Sequence, residues 1–133
     1  MRVYYEDTDA GGVVYYANYL RFLERARTEW LRAQGFEQDD LRARFGILFA
    51  VRRVNAEYLR PARFNDRLDV TVEIGRVGPA SIEFGQEVRR SNGSIRETLC
   101  TASVRVACLD AESFGPRPMP PEIAERIKPG RVT

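Results

Sequence analysis

The chain has 133 residues, is 44% hydrophobic and 30% charged, and carries a formal net charge of +2 with no histidine. That length predicts one domain spanning 1–133 with a single modest core, and the near-balanced charge argues against a nucleic-acid surface. Without histidine, Ser-His-Asp and Cys-His catalysis are excluded for this chain's own residues, as is any metal site built on imidazole. No zinc signature, signal peptide or bilayer-length apolar run is present, so a cytoplasmic protein with no transmembrane segment and no metal is expected.

Residues 3–5 read as a short strand, and 6–14 as a polar, glycine-rich loop. From 17 to 34 the spacing is helical. Leu20, Leu23, Arg27 and Leu31 form one line, with Tyr19, Phe22, Ala26 and Trp30 beside it. Gly35 suits a helix C-terminus. Residues 39–45 read as a further helical turn that Gly46 ends. The period then changes to two. Residues 47–58 form a strand whose alternation slips at Arg52 and Arg53, the mark of a bulge. Leu68, Val70, Val72 and Ile74 alternate with polar residues as one half-buried strand. Gly78 and Pro79 turn the chain into a strand marked by Ile82, Phe84 and Val88. Ser91, Asn92, Gly93 and Ser94 make a hairpin.

Cys100, Ala102, Val104, Val106 and Cys108 alternate in the last strand, which places both cysteines on one buried face as thiols rather than a disulfide. A proline-rich tail covers about 115–133, with one helical turn at 122–127. The order is strand, long helix, then a meander of four antiparallel strands. A helix with so wide an apolar stripe needs a sheet to cover it, so an α+β fold is expected, its sheet of about five strands curled around the helix. The exposed edges of such a sheet favour a homo-oligomer, dimer or tetramer.

The most informative stretch is Glu6, Asp7, Thr8, Asp9, Ala10, Gly11, Gly12, Val13, Val14, Tyr15, Tyr16, Ala17, Asn18 and Tyr19. It sets three carboxylates and a Gly-Gly pair ahead of a helix N-terminus, where free N–H groups can hold developing negative charge. The segment 3–32, and within it Tyr4 to Tyr15 followed by Glu24, Arg25, Ala26, Arg27, Thr28 and Glu29, resembles the hotdog-fold acyl-CoA thioesterases. More narrowly it resembles the branch associated with the Tol-Pal system of Gram-negative bacteria, related to the 4-hydroxybenzoyl-CoA thioesterases. Tyr58, Leu59, Arg60, Pro61, Ala62 and Asp66 fit the same family more loosely. The resemblance implies a hotdog fold and an active site at a subunit interface. It implies Asp9 as the catalytic carboxylate, and Tyr16 as the helix-entry residue whose backbone N–H points at the thioester carbonyl. Many members of the Tol-Pal branch have His where Tyr16 stands, and the hydroxybenzoyl-CoA enzymes have Tyr.

Thioester hydrolysis suits these residues. Attack builds charge on the carbonyl oxygen, which helix N–H groups can stabilise. Asp9 can attack the carbonyl or activate water, and the thiolate leaves without an acid. Gly11, Gly12, Val13, Tyr15 and Asn18 form the expected substrate-binding set around them. CoA would be part of the substrate, with no separate cofactor. Competing readings exist for each residue. Asp9 with two following glycines is also good turn chemistry, Asn18 can orient the loop or cap the helix, and Tyr19 and Trp30 suit a core. Glu24, Arg25, Arg27 and Glu29 suit a salt-bridged helix face. Arg60, Arg63, Arg89 and Arg90 can grip phosphates but equally suit a plain surface. The alternative function is a binding or scaffold protein for acyl carrier protein or Tol-Pal partners, with little turnover. A hotdog hydratase is disfavoured because its sites resemble His-carboxylate pairs.

Overall fold

In the computed structural model, residues 1–9 and 11–127 are described, with Asn92 by its backbone alone. Ala10 and the final part of the proline-rich tail, 128–133, lie outside the described residues.

Helix α1 spans Tyr16–Ala33 and buries Asn18, Tyr19, Phe22, Leu23, Trp30 and Leu31. Those positions recur at three- and four-residue steps, so one face enters the core. Leu20, expected on that face, is instead exposed, and Arg27 is half-buried. The helix closes with paired backbone bonds, Phe36 N–H to Leu31 O at 3.1 Å and Gly35 N–H to Arg32 O at 2.9 Å. That closure needs a left-handed residue, and Gly35 supplies it at φ +96°. Arg126 donates to Gln34 O at 2.8 Å and covers one more helix-end carbonyl.

A short helix, α2 (Gln38–Asp40), runs into a wider π-type turn at Leu41–Phe45, which Gly46 ends in the left-handed region. Five strands follow: β1 (Ile47–Tyr58), β2 (Leu68–Val70), β3 (Glu73–Gly78), β4 (Ser81–Asn92) and β5 (Ile95–Asp110). A last helix, α3 (Pro121–Arg126), buries Ile123.

The sheet is antiparallel with strand order β1-β5-β4-β2, and β3 also pairs with β4. This corrects the expected meander. β1 pairs with β5 instead of β2, because the 16-residue β5 takes an interior place and residues 59–67 carry the chain to the far edge. The bulge falls where alternation slips, with the β1–β5 register shifting between Val51 and Arg53. The strand expected through 68–74 is broken into β2 and β3. Thr71 occupies the break, and its hydroxyl accepts the Glu87 N–H at 2.9 Å in place of a ladder bond. Cys100, Val104 and Cys108 face the core with Phe22, Leu23 and Trp30, and both cysteines are free and buried.

The expected strand at 3–5 does not form. Val3 is buried and bonds across to 65 and 66, with Val3 N–H to Asp66 O and Asn65 N–H to Val3 O both at 2.9 Å. Tyr5–Asp7 then winds into a 3-10 turn, because the Asp7 carboxylate accepts Tyr4 N–H at 3.0 Å and Thr8 Oγ1 donates to Tyr5 O at 2.7 Å.

Candidate active site

Asp9 and residues 11–13 form a tight turn built around one carboxylate. Asp9 Oδ1 accepts Gly11 N–H at 2.8 Å and Val13 N–H at 3.4 Å, and Asp9 N–H donates to Val13 O at 2.9 Å. Such a bond pattern fixes the carboxylate without burying it, and Asp9 is half-exposed. Gly12 N–H reaches Asp9 O at 3.0 Å, with Gly12 at φ +79°, a conformation a side chain would strain. A Cβ on Gly11 would stand 3.3 Å from Asp9 Oδ1 and crowd the same carboxylate.

The turn is tied down on two sides. Toward the helix, Asn18 is buried and its Nδ2 donates to Asp7 O at 2.9 Å, while Tyr15 N–H meets Asp7 O at 3.3 Å. Toward residues 61–66, Val14 N–H donates to Ala62 O at 2.8 Å and Phe64 N–H to Gly12 O at 3.2 Å, with Val13 and Arg63 bridged.

Helix α1 starts directly after this turn. Tyr15 is its N-cap in extended conformation and supplies no side-chain cap bond. Asn18 N–H is taken by Tyr15 O at 3.0 Å, while the N–H groups of Tyr16 and Ala17 have no carbonyl four residues back within the helix and present the positive end of its dipole.

Asp9 and this helix start face one cleft of about 380 Å³, lined by Asp9, Val13, Val14, Tyr15, Tyr16, Tyr19, Tyr58, Leu59, Arg60 and Pro61. Two other pockets are lined mainly from α1 and the sheet and hold neither Asp9 nor Tyr16. The cleft that contains the acid and the helix N-terminus is the one with the chemistry for reaction, since an oxyanion needs both donors and an attacking group close by.

The structure thus brings Asp9, Val13, Tyr15 and Tyr16 together. Gly11 and Gly12 form the turn beneath the carboxylate, and Asn18 holds the loop from below without lining the cleft. Tyr15 and Tyr16 are exposed at 51% and 69%, and Tyr19 is buried. Sequence reasoning missed Tyr58. Its ring lies 4.7 Å from Tyr16 and 5.3 Å edge-on to Tyr19, making an aromatic wall. Burial raises the Tyr58 and Tyr19 phenols above their ordinary range, so both stay neutral donors and acceptors. The only sequence signal for this wall was the looser segment from Tyr58 to Ala62.

The four arginines separate. Arg89 pairs with Glu87 at 2.8 Å. Arg90 is engaged by Asp66 at 3.0 Å and Glu97 at 2.7 Å. Arg63 contributes its backbone, donating to Asp66 Oδ2 at 2.8 Å. Arg60 alone of the four lines the cleft, loosely held by Glu97 at 3.6 Å. Among the described residues, no group of three or more Cys, Asp or Glu side chains is placed to hold a metal ion, and no helix is long and apolar enough to cross a membrane.

Several known proteins are similar to this chain. A profile described as the thioesterase-like superfamily matches residues 3–127. The acyl-CoA thioester hydrolase YbgC of Escherichia coli O6:H1 is 43% identical over 128 residues, covering 96% of this chain and 92% of that protein. The acyl-CoA thioesterase YbgC of Haemophilus influenzae is 43% identical over 123 residues, covering 92% and 88%. The crystal structure of a probable thioesterase from Bartonella henselae superposes with a TM-score of 0.80 at 36% identity, covering 90% of this chain and 95% of that one.

Proposed function

The chain belongs to the thioesterase-like superfamily and has its hotdog-like fold, an antiparallel five-strand sheet with few helices; on that premise we propose that it is an acyl-CoA thioester hydrolase acting through Asp9. The observation that carries this reading is the shared cleft, which sets a fixed carboxylate beside the open N-terminus of α1. Acyl-CoA and water give a free carboxylic acid and the CoA thiol.

The Tyr16 N–H polarises the thioester carbonyl and holds the oxyanion as it forms. Asp9 attacks the carbonyl carbon to give a mixed anhydride that water then opens, or it takes a proton from the attacking water. The C–S bond breaks with its electrons on sulfur, and the thiolate departs unassisted. Val13 and Tyr15 contact the substrate, while Gly11, Gly12 and Asn18 keep the Asp9 turn in place. CoA enters as part of the substrate, and the chemistry needs no separate cofactor. We read α1 as the central helix that the sheet wraps, and the working protein as a cytoplasmic homo-oligomer. Thiol release from short-chain, long-chain and hydroxybenzoyl CoA esters tests the assignment and names the acyl class. Release from none of them, with acyl carrier protein retained in a pull-down, would replace it by the carrier-binding reading.

A further inference from the structure

Segment 61–66 is the support on which the Asp9 turn hangs. Ala62 accepts from Val14 and donates to the Tyr19 hydroxyl, both at 2.8 Å, and Phe64 reaches back to Gly12 O at 3.2 Å. Pro61 at its start also walls the cleft. The segment has no strand of its own, so something must hold it against the sheet.

One guanidinium does so. Arg90 stands on β4 with its side chain 16% exposed. Its Nη1 donates to Pro61 O at 3.2 Å and to Asp66 Oδ2 at 3.0 Å, and its Nη2 to Glu97 Oε1 at 2.7 Å on β5. The same Asp66 oxygen accepts Arg63 N–H at 2.8 Å, closing the loop on itself. Arg90 therefore ties both ends of 61–66 to two neighbouring strands. The bonds divide between two nitrogens held in one plane, a spread that the single nitrogen of an ammonium does not match. By contrast, its neighbour Arg89 makes a single local pair with Glu87.

We propose that Arg90 is a positioning residue for the active site, clamping segment 61–66 so that the Asp9 turn and the Pro61 wall keep their places. The chain of contacts runs from Arg90 through Pro61 and Asp66 to Ala62, from there to Val14 and Tyr19, and so to the turn and the start of α1. Its catalytic consequence rests on the thioesterase reading above; its structural part does not. A shift of the carboxylate by a fraction of an ångström matters because a displacement near 1 Å can cost about 100-fold in rate.

The test compares wild type with Arg90→Lys, which keeps the charge, Arg90→Met, which keeps the stem, and Arg89→Lys as a control. Amide exchange and steady-state kinetics are measured on each. In Arg90→Lys the Val14 amide should exchange about tenfold faster while β4 and β5 amides keep their protection. Its kcat should fall about tenfold with KM within about twofold, and Arg90→Met should fall further. Placed on Asp9→Asn, Arg90→Lys should change the residual rate less than about twofold, because it acts through Asp9. Unchanged Val14 protection, or loss of protection spread equally over β4 and β5, would overturn the clamp. A wild-type protein that hydrolyses no thioester would sink the enzymatic reading instead, and the exchange pattern would still decide the clamp.

Discussion

Asp9 ties a turn and faces the cleft with one side chain. Its Oδ1 holds a turn through Gly11 and Val13, and the same bonds orient the carboxylate toward the cleft. The turn role is therefore compatible with the proposed role as reactive acid. Tyr16 divides differently. Its ring packs at a tilt against Tyr58, while the proposed contribution to chemistry lies in its N–H. That division can be tested because Tyr16 is the first helical residue and Tyr15 already sits at φ −60°, ψ 143°, a conformation that tolerates a following proline. Tyr16→Pro should keep α1 and remove the N–H, lowering kcat by about 100-fold or more beyond the loss seen in Tyr16→Ala. Equal rates in the two variants, measured with circular dichroism matching wild type, would assign the position to packing instead.

At the scale of elements, the sequence marked the site's chemistry better than its walls. The carboxylate, the glycines and the helix entry stand within one local stretch, so their spacing is visible along the chain. Tyr58 closes the same cleft from the end of β1, and only the long-range pairing of β1 with β5 brings it there. The bulge at Arg52 and the hairpin at Gly93 were legible because each breaks or ends a local alternation. The break between β2 and β3 was not, since Thr71 keeps the alternation while its hydroxyl replaces a ladder bond.

The last strand carries a pH dependence. Burial pushes the Cys100 thiol from 9.0 up to about 11. Its neutral form is favoured by folding, so that stability is complete below pH 9 and is lost as pH rises through 11. Cys108, Tyr19 and Tyr58 are raised by burial and act in the same direction. The urea midpoint should therefore fall from pH 9 upward, less steeply in Cys100→Ala. Identical slopes in the two proteins would remove Cys100 as a contributor.

For the whole molecule, the sheet order leaves β1 at one end, with Val51 and Val54 exposed along it. An edge of twelve residues carrying exposed valines is a liability for a lone chain. The oligomer proposed above would relieve it, and sedimentation velocity should show the wild type as a dimer or larger. The paired change Val51→Glu and Val54→Glu should shift it toward monomer with the fold retained. A wild type that stays monomeric at all accessible concentrations would contradict this. The proposed thioesterase reading rests on one residue of the cleft, Asp9. The most direct measurement is therefore thiol release from the best acyl-CoA substrate by wild type and Asp9→Asn at equal folded concentration. Asp9→Asn should lose about 100- to 10,000-fold in kcat with the melting temperature nearly unchanged. Near-normal turnover by Asp9→Asn would contradict that reading.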